Sequence, residues 1–136
     1  DLPSNLTKYK FDLPSYKMHD ALAFCSLFIG EGATMCSECC MLGTPSIYIN
    51  SLDAGTINEQ KKEGLLFHLD NLENVLEKSN QIINDNRIPM QIKEKTKKHI
   101  ANKIDLTNFM LWIFNNYPSN INKLINDADA YNKEVS

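Results

Sequence analysis

The chain has 136 residues, 43% of them hydrophobic, which is enough apolar material for one compact domain rather than two. Its 14 basic and 17 acidic residues leave a net charge of -3, which offers no broad attraction to nucleic acid or to an anionic lipid surface. No stretch approaches the roughly 20 apolar residues of a spanning helix, and Asp1-Leu2-Pro3-Ser4-Asn5 lacks the basic and apolar regions of a signal peptide, so a cytoplasmic location is expected.

The start at Asp1, with no obvious first domain element, predicts a piece of a longer polypeptide. Tyr9-Lys10-Phe11 reads as a short strand closed by Leu13-Pro14, after which Ser15 is positioned to cap a helix. Met18, Ala21, Leu22 and Cys25 recur at the spacing of one helical face. Leu27 to Ile29 is a brief buried strand, followed by the glycine turn Gly30-Glu31-Gly32 and a helix from about Ala33 to Leu42, which Gly43 ends and Pro45 keeps from continuing. Ile47 to Ile49 is the next strand.

A polar loop over 51–55 leads into a helical stretch ended by Gly64, and Leu65-Leu66-Phe67 is a third strand candidate. Strands and helices alternating with such short connections predict βαβ units and a parallel sheet. Asp70 with Glu73 has the spacing of a capping box, before a helix carrying Leu72, Val75, Leu76, Ile82 and Ile83. From Pro89 on the strands stop. Lys93, Lys95, Lys97, Lys98 and Lys103 form a solvated helix face. The run from Phe109 to Phe114 is apolar on every side of a helix, so it must be buried all round or cover a partner. The expected division is an α/β part over 1–86 and a helical extension over 87–136 packing on the same domain.

Cys36-x-x-Cys39 hints at metal or redox chemistry, but a structural zinc site wants four ligands, and no histidine pair completes one with Cys25, Cys36, Cys39 and Cys40. Small thiols packing a helix against a sheet account for them, in a reducing compartment. No metal site is expected, and His68 and His99 receive no role.

The strand, glycine turn and helix have the layout of an α/β anion site, in which unpaired first-turn amides and the helix dipole face a phosphate. Gly32, Ala33 and Thr34 would lie under a diphosphate, with the Thr34 hydroxyl as a further donor. Glu38, one turn on, is placed to accept hydrogen bonds from both hydroxyls of a ribose. Glu31 would repel a diphosphate unless it points away, is protonated or meets a cation. Asn50 and Ser51 follow a strand's carboxyl end, where ligands of open α/β sheets gather. Asp53 and Glu59 are weaker candidates for sugar hydroxyls, and His19 for a base.

The stretch Lys17-Met18-His19-Asp20, then Ile29-Gly30-Glu31-Gly32-Ala33-Thr34-Met35-Cys36-Ser37-Glu38, then Leu42-Gly43-Thr44-Pro45-Ser46-Ile47, resembles the carboxy-terminal domain of GT-B nucleotide-sugar proteins. It is most similar to an uncharacterised bacterial and archaeal family related to UDP-N-acetylglucosamine 2-epimerase, marked by Gly-x-x-Thr-Met-x-x-Glu and then Leu-Gly-x-Pro. The likeness is good over 14–67, weaker to about residue 85, and absent as a motif beyond. It implies a Rossmann-like small parallel sheet flanked by helices, the carboxy-terminal half of a GT-B fold, with a helical extension. It places Gly32, Ala33, Thr34 and Met35 at the diphosphate, Glu38 at the ribose, and the surroundings of Pro14, Met18 and His19 at uracil, with Gly30 and Glu31 also in the nucleotide-sugar site and the role of Glu31 open. The epimerases carry an acid where this chain has Glu31, but their Ser-Gly-Gly becomes Gly32-Ala33-Thr34 here.

The resemblance implies a UDP-sugar as substrate with no other cofactor, a glycosyltransferase or epimerase as the parent protein, and an amino-terminal GT-B domain as the partner. A homodimer stays open. The isolated chain is not expected to turn over, because acceptor contacts and much of the acid-base chemistry come from the other half of such enzymes. A reading of a different class is a non-catalytic protein-assembly module using the Trp112 helix. A flavodoxin-like or receiver-type domain also fits the alternation, but no acidic pair ends its first strand.

Overall fold

A computed structural model of the chain describes residues 2–52 and 54–135. They fall into two compact units, 1–100 and 101–136. The first unit is a small α/β domain whose three strands, β1 (Phe28–Gly30), β2 (Ser46–Ile49) and β3 (Phe67–Leu69), form a parallel sheet in the order β1-β2-β3. Register pairs Ile29 with Ile47, and Tyr48 with both Gly30 and His68. The central strand is buried along its whole length, as the β-branched residues Ile47 and Ile49 suit.

Alternation along β2 sends neighbouring side chains to opposite faces. Tyr48 joins Cys36 and Cys40 of α2 (Ala33–Leu42), Ile57 of α3 (Gly55–Glu63), and Leu65 and Leu66. Ile47 and Ile49 pack with Ile82 of α4 (Val75–Asn84) and with Ile88 of α5 (Arg87–Ala101). The two helices that follow β1 and β2 therefore cover one face, and those that follow β3 cover the other. Cross-links between side chain and backbone reinforce the layers. Thr96 Oγ1 of α5 donates to the Cys40 carbonyl at 2.9 Å, and Thr44 Oγ1 donates at 2.8 Å to the carbonyl of Leu22 in α1 (Met18–Phe24).

α2 and α3 end in the same way. Gly43 and Gly64 take φ of 73° and 69°, the left-handed region, and the amides of Thr44 and Leu65 reach back to the carbonyls of Cys39 and Gln60. This closure displaces the third strand. Because the Leu65 amide closes α3, Leu65 and Leu66 pack as a buried connection, and sheet pairing starts at Phe67 rather than at the expected Leu65.

Three other expectations are corrected. Tyr9-Lys10-Phe11 is not a strand. Thr7–Tyr9 is a 3-10 turn closed by Lys10 N to the Thr7 carbonyl, and Phe11 stands exposed outside the sheet. Ser15 caps nothing, because it opens a 3-10 turn over Ser15–Lys17 and α1 follows at Met18. Asp70 and Glu73 form no capping box. Asn71 Oδ1 accepts from the Glu73 amide in a local turn, and α4 begins only at Val75, leaving Leu72 and Leu76 exposed and Ile82 buried.

The second unit contains α6 (Leu106–Asn115), α7 (Ser119–Asn126) and α8 (Ala130–Val135). Asp105 caps α6, its Oδ1 accepting from the Asn108 amide at 3.0 Å. Phe109, Trp112 and Tyr131 meet ring to ring, and Trp112 Nε1 donates to Glu134, which also accepts from Lys123. The apolar run of α6 is not buried all round. Met110, Leu111 and Phe114 are 47%, 52% and 66% exposed within this small cluster. α5 is tied to α2 and α3 in the first unit by Thr96 and His99. Among the described residues no helix is long and apolar enough to cross a membrane.

Candidate functional site

Each parallel strand delivers a polar residue at its carboxyl end: Glu31 after β1, Asn50 after β2 and Asp70 after β3. Asn50 organises this edge. Its amide donates to the Leu69 carbonyl at 3.1 Å, its side-chain Nδ2 donates to the Glu31 carbonyl at 3.3 Å, and its Oδ1 accepts from the Leu52 amide at 3.0 Å. His68 joins from beneath, its Nε2 2.7 Å from the Asn50 carbonyl and 3.7 Å from Asp70 Oδ1. Since a carbonyl only accepts, Nε2 carries the proton, and Nδ1 is left buried without a partner among the described residues. Glu31, Asn50, Asp70 and Asn71, with Ile49 and Leu72, line an open depression of about 380 Å³.

Beside it, α2 starts without a side-chain cap. Gly32 is the capping residue and its carbonyl receives the Cys36 amide, so the amides of Ala33, Thr34 and Met35 belong to the unpaired first turn. The two glycines of the turn differ in what explains them. A Cβ on Gly30 would meet the Phe28 ring at 2.8 Å, so internal packing requires that glycine. Gly32 has φ of -87° and nothing within 4 Å of where its Cβ would sit, so neither backbone conformation nor packing requires it.

Glu38 lies one turn beyond Thr34, and its Oε2 is 3.5 Å from Nε2 of His19 at the start of α1. The fold thus brings residues 19 and 38 together, beside the exposed Thr34 and half-buried Met18 and Met35. Gly30, Glu31, Gly32, Ala33, Thr34, Met35, Glu38, Met18 and His19 all lie on β1, the turn after it, α2 or the start of α1. Asn50 proves more central than its place in a turn suggests. Asp70 follows β3 as Asn50 follows β2, and that repeat was the available signal for it, whereas His68 lies within β3 opposite Tyr48 and gave none. Glu59 turns toward α5, with a carboxylate oxygen within 4.8 Å of donor atoms on Glu63 and His99. Asp53 lies outside the described residues.

The cysteines are free and pack the α2 layer. Burial pushes the thiols of Cys36, Cys39 and Cys40 up to about 11, 12 and 12, so all three are protonated at neutral pH. The half-buried Cys25 thiol is also raised, first by burial. A second depression of about 340 Å³ lies by the amino-terminal ends of the strands, where Cys25, Ser26, Thr44, Asn86 and Lys93 contribute, and it contains none of the predicted site residues.

Chemically, the carboxyl edge offers two different surfaces. The first turn of α2 presents backbone donors and a positive dipole end, suited to an anion. The depression presents carboxylates and amides, suited to neutral hydroxyl groups rather than to phosphate. No family model, curated protein or solved structure matches the chain.

Proposed function

We propose that this chain binds a nucleotide-sugar of the UDP-sugar type, as the carboxy-terminal half of a GT-B glycosyltransferase or of a protein like UDP-N-acetylglucosamine 2-epimerase. The observation that carries the reading is the uncapped start of α2 at Gly32, a glycine that nothing inside the protein requires, with Glu38 one turn further on. The amides of Ala33, Thr34 and Met35 would hold the diphosphate, and Glu38 would accept from the ribose hydroxyls with His19 beside it at the base. The sugar would then face the depression lined by Glu31, Asn50, Asp70 and Asn71. That division separates the diphosphate from the two acidic side chains, because hydroxyls donate to carboxylates whereas phosphates are repelled by them.

In a transfer or an elimination the nucleoside diphosphate leaves with negative charge, and fixed amides at the α2 start would stabilise that charge as it develops. Residues of a second GT-B domain would supply the remaining acid-base groups. The test is an NMR titration with UDP and UDP-N-acetylglucosamine, with adenosine diphosphate as the competing base and Glu38→Ala as the control. Saturable shifts at residues 32 to 35 that are lost in the variant support the reading. A folded sample that shows no shift at millimolar UDP, together with a full-length protein that also fails to bind, removes it.

A second reading is favoured by the exposed apolar side chains Met110, Leu111 and Phe114 on α6, which suit a protein-assembly module. Sedimentation of wild type against Leu111→Glu separates the two, because only the assembly reading ties self-association to that helix.

A further inference from the structure

The turn in front of α2 has few fixed points of its own. Gly30 and Gly32 flank Glu31, and glycine loses more conformational freedom on ordering than any other residue. Gly32 has open space around the position its Cβ would take, and α2 starts without a side-chain cap, so neither packing there nor capping fixes the peptide between Glu31 and Gly32. A contact from the next strand does. Asn50 Nδ2 reaches across from the end of β2 and donates to the Glu31 carbonyl at 3.3 Å. A peptide unit is planar and trans, so its N–H points opposite to its C=O. Holding the Glu31 carbonyl therefore also aims the Gly32 N–H and sets the direction in which the chain enters the first turn of α2.

Asn50 is itself held at both ends of its carboxamide and at both backbone groups. Oδ1 accepts from the Leu52 amide at 3.0 Å, which orients the carboxamide so that its nitrogen, and not its oxygen, faces Glu31. The backbone amide donates to the Leu69 carbonyl at 3.1 Å, and the backbone carbonyl lies 2.7 Å from Nε2 of His68, whose side chain is 5% exposed. A buried group on β3 thus steadies the residue whose side chain steadies the turn after β1. We infer that Asn50 is a positioning residue, which holds the Glu31–Gly32 peptide so that the unpaired amides at the start of α2 converge on a phosphate group.

The inference rests on the nucleotide-sugar reading for its ligand, and within that reading it assigns Asn50 to the diphosphate end of the site rather than to the sugar. Without the clamp, the turn would have to be ordered at the moment of binding, and that cost would be subtracted from the affinity. The residue type follows from the two bonds. Aspartate could still accept from the Leu52 amide, but it has no proton to donate to a carbonyl. Serine could accept from Leu52 in the same kind of turn without adding charge, yet its hydroxyl is too short to reach Glu31.

The test compares Asn50→Asp and Asn50→Ser with wild type in the whole chain, by NMR backbone relaxation at residues 32 to 34 without ligand and by titration with UDP and with inorganic pyrophosphate. Asn50 is half-buried in a loop, so both variants should fold, which melting by circular dichroism checks. In wild type the amides of residues 32 to 34 should have order parameters of about 0.85, those of rigid backbone, and in both variants these should fall while Cys39 and Cys40 keep theirs. Both variants should bind UDP and pyrophosphate about three- to tenfold more weakly, the effect of one ordinary hydrogen bond. Unchanged order at Gly32 in both variants overturns the inference, as does wild-type affinity in both. Weakening by Asn50→Asp alone marks charge repulsion of the ligand and overturns it too. Wild type that binds pyrophosphate but not UDP removes the nucleotide-sugar reading and keeps the inference if the variants weaken pyrophosphate, whereas wild type that binds neither overturns both.

Discussion

Substituting two glycines separates what the fold needs from what a ligand needs. Gly43→Ala forces a side chain into φ of 73° and sets its Cβ 3.1 Å from Lys93 Cγ and 3.5 Å from Lys93 Cα. The left-handed conformation costs an L-residue about 1–2 kcal/mol, and the reduced freedom of the unfolded chain returns about 0.4–1 kcal/mol. With the tight Lys93 contact added, the net is a destabilisation of about 1 kcal/mol. At Gly32, φ is -87° and the space is open, so the same substitution meets no steric penalty. Alanine is a poorer capping residue than glycine by a few tenths to about 1 kcal/mol, which the gain from the unfolded chain roughly cancels. Gly32→Ala should therefore fold with a stability within about 0.5 kcal/mol of wild type. Its methyl group would hold a phosphate off the first-turn amides, and each such charge-assisted bond is worth about 1.5–3 kcal/mol, so UDP affinity should fall at least about tenfold. Urea denaturation must be followed by far-ultraviolet circular dichroism, because Trp112 is the single tryptophan and lies in the 101–136 unit. Gly32→Ala binding UDP as wild type does would refute the argument, and so would equal destabilisation by the two substitutions.

Three further outcomes follow from burial. The raised thiols of Cys36, Cys39 and Cys40 bind protons more tightly folded than unfolded, so stability holds below the unfolded value near 9.0 and declines as pH rises from there toward 11–12. Native alkylation at pH 8 should modify Cys25 first and the other three only in denaturant, and rapid native labelling of Cys36 would contradict the packing described here. Ile57→Ala, at a site with 0% exposure, should cost about 2–4 kcal/mol, whereas Leu76→Ala, at 74% exposure, should stay within about 0.5 kcal/mol in the same urea assay.

The contrast between Ile57 and Leu76 also marks how far pattern reading reaches. Leu76 and Ile82 belong to the same apolar helix, yet Val75 and Ile82, seven residues apart, form the face that meets the sheet, while Leu76 and Ile83 form another that stays exposed. The carboxyl-edge residues were partly legible. Gly32, Thr34 and Glu38 follow one another along one short segment, and the fold sets Glu38 beside His19. His68 gave no such sign, since its contacts with Asn50 and Tyr48 arise only when β3 pairs with β2. Glu63 and His99 are 36 residues apart and meet through helix packing alone.

Local chemistry therefore determined the elements whose boundaries are made by their own residues. α2 runs from a glycine turn to Gly43 and is stopped by Pro45, and β2 is a β-branched run between turn residues, so both stand where the sequence alone puts them. Tertiary structure decided whatever depends on a partner distant in the chain. The start of β3 was set by a helix closure that claimed the Leu65 amide, and Tyr9 was drawn into a 3-10 turn rather than a strand. The polar rim of Glu31, Asn50 and Asp70 forms because parallel pairing aligns three strand ends. Propensity acts over a few neighbouring residues, whereas pairing, burial and side-chain clusters depend on which segments the chain folds against one another.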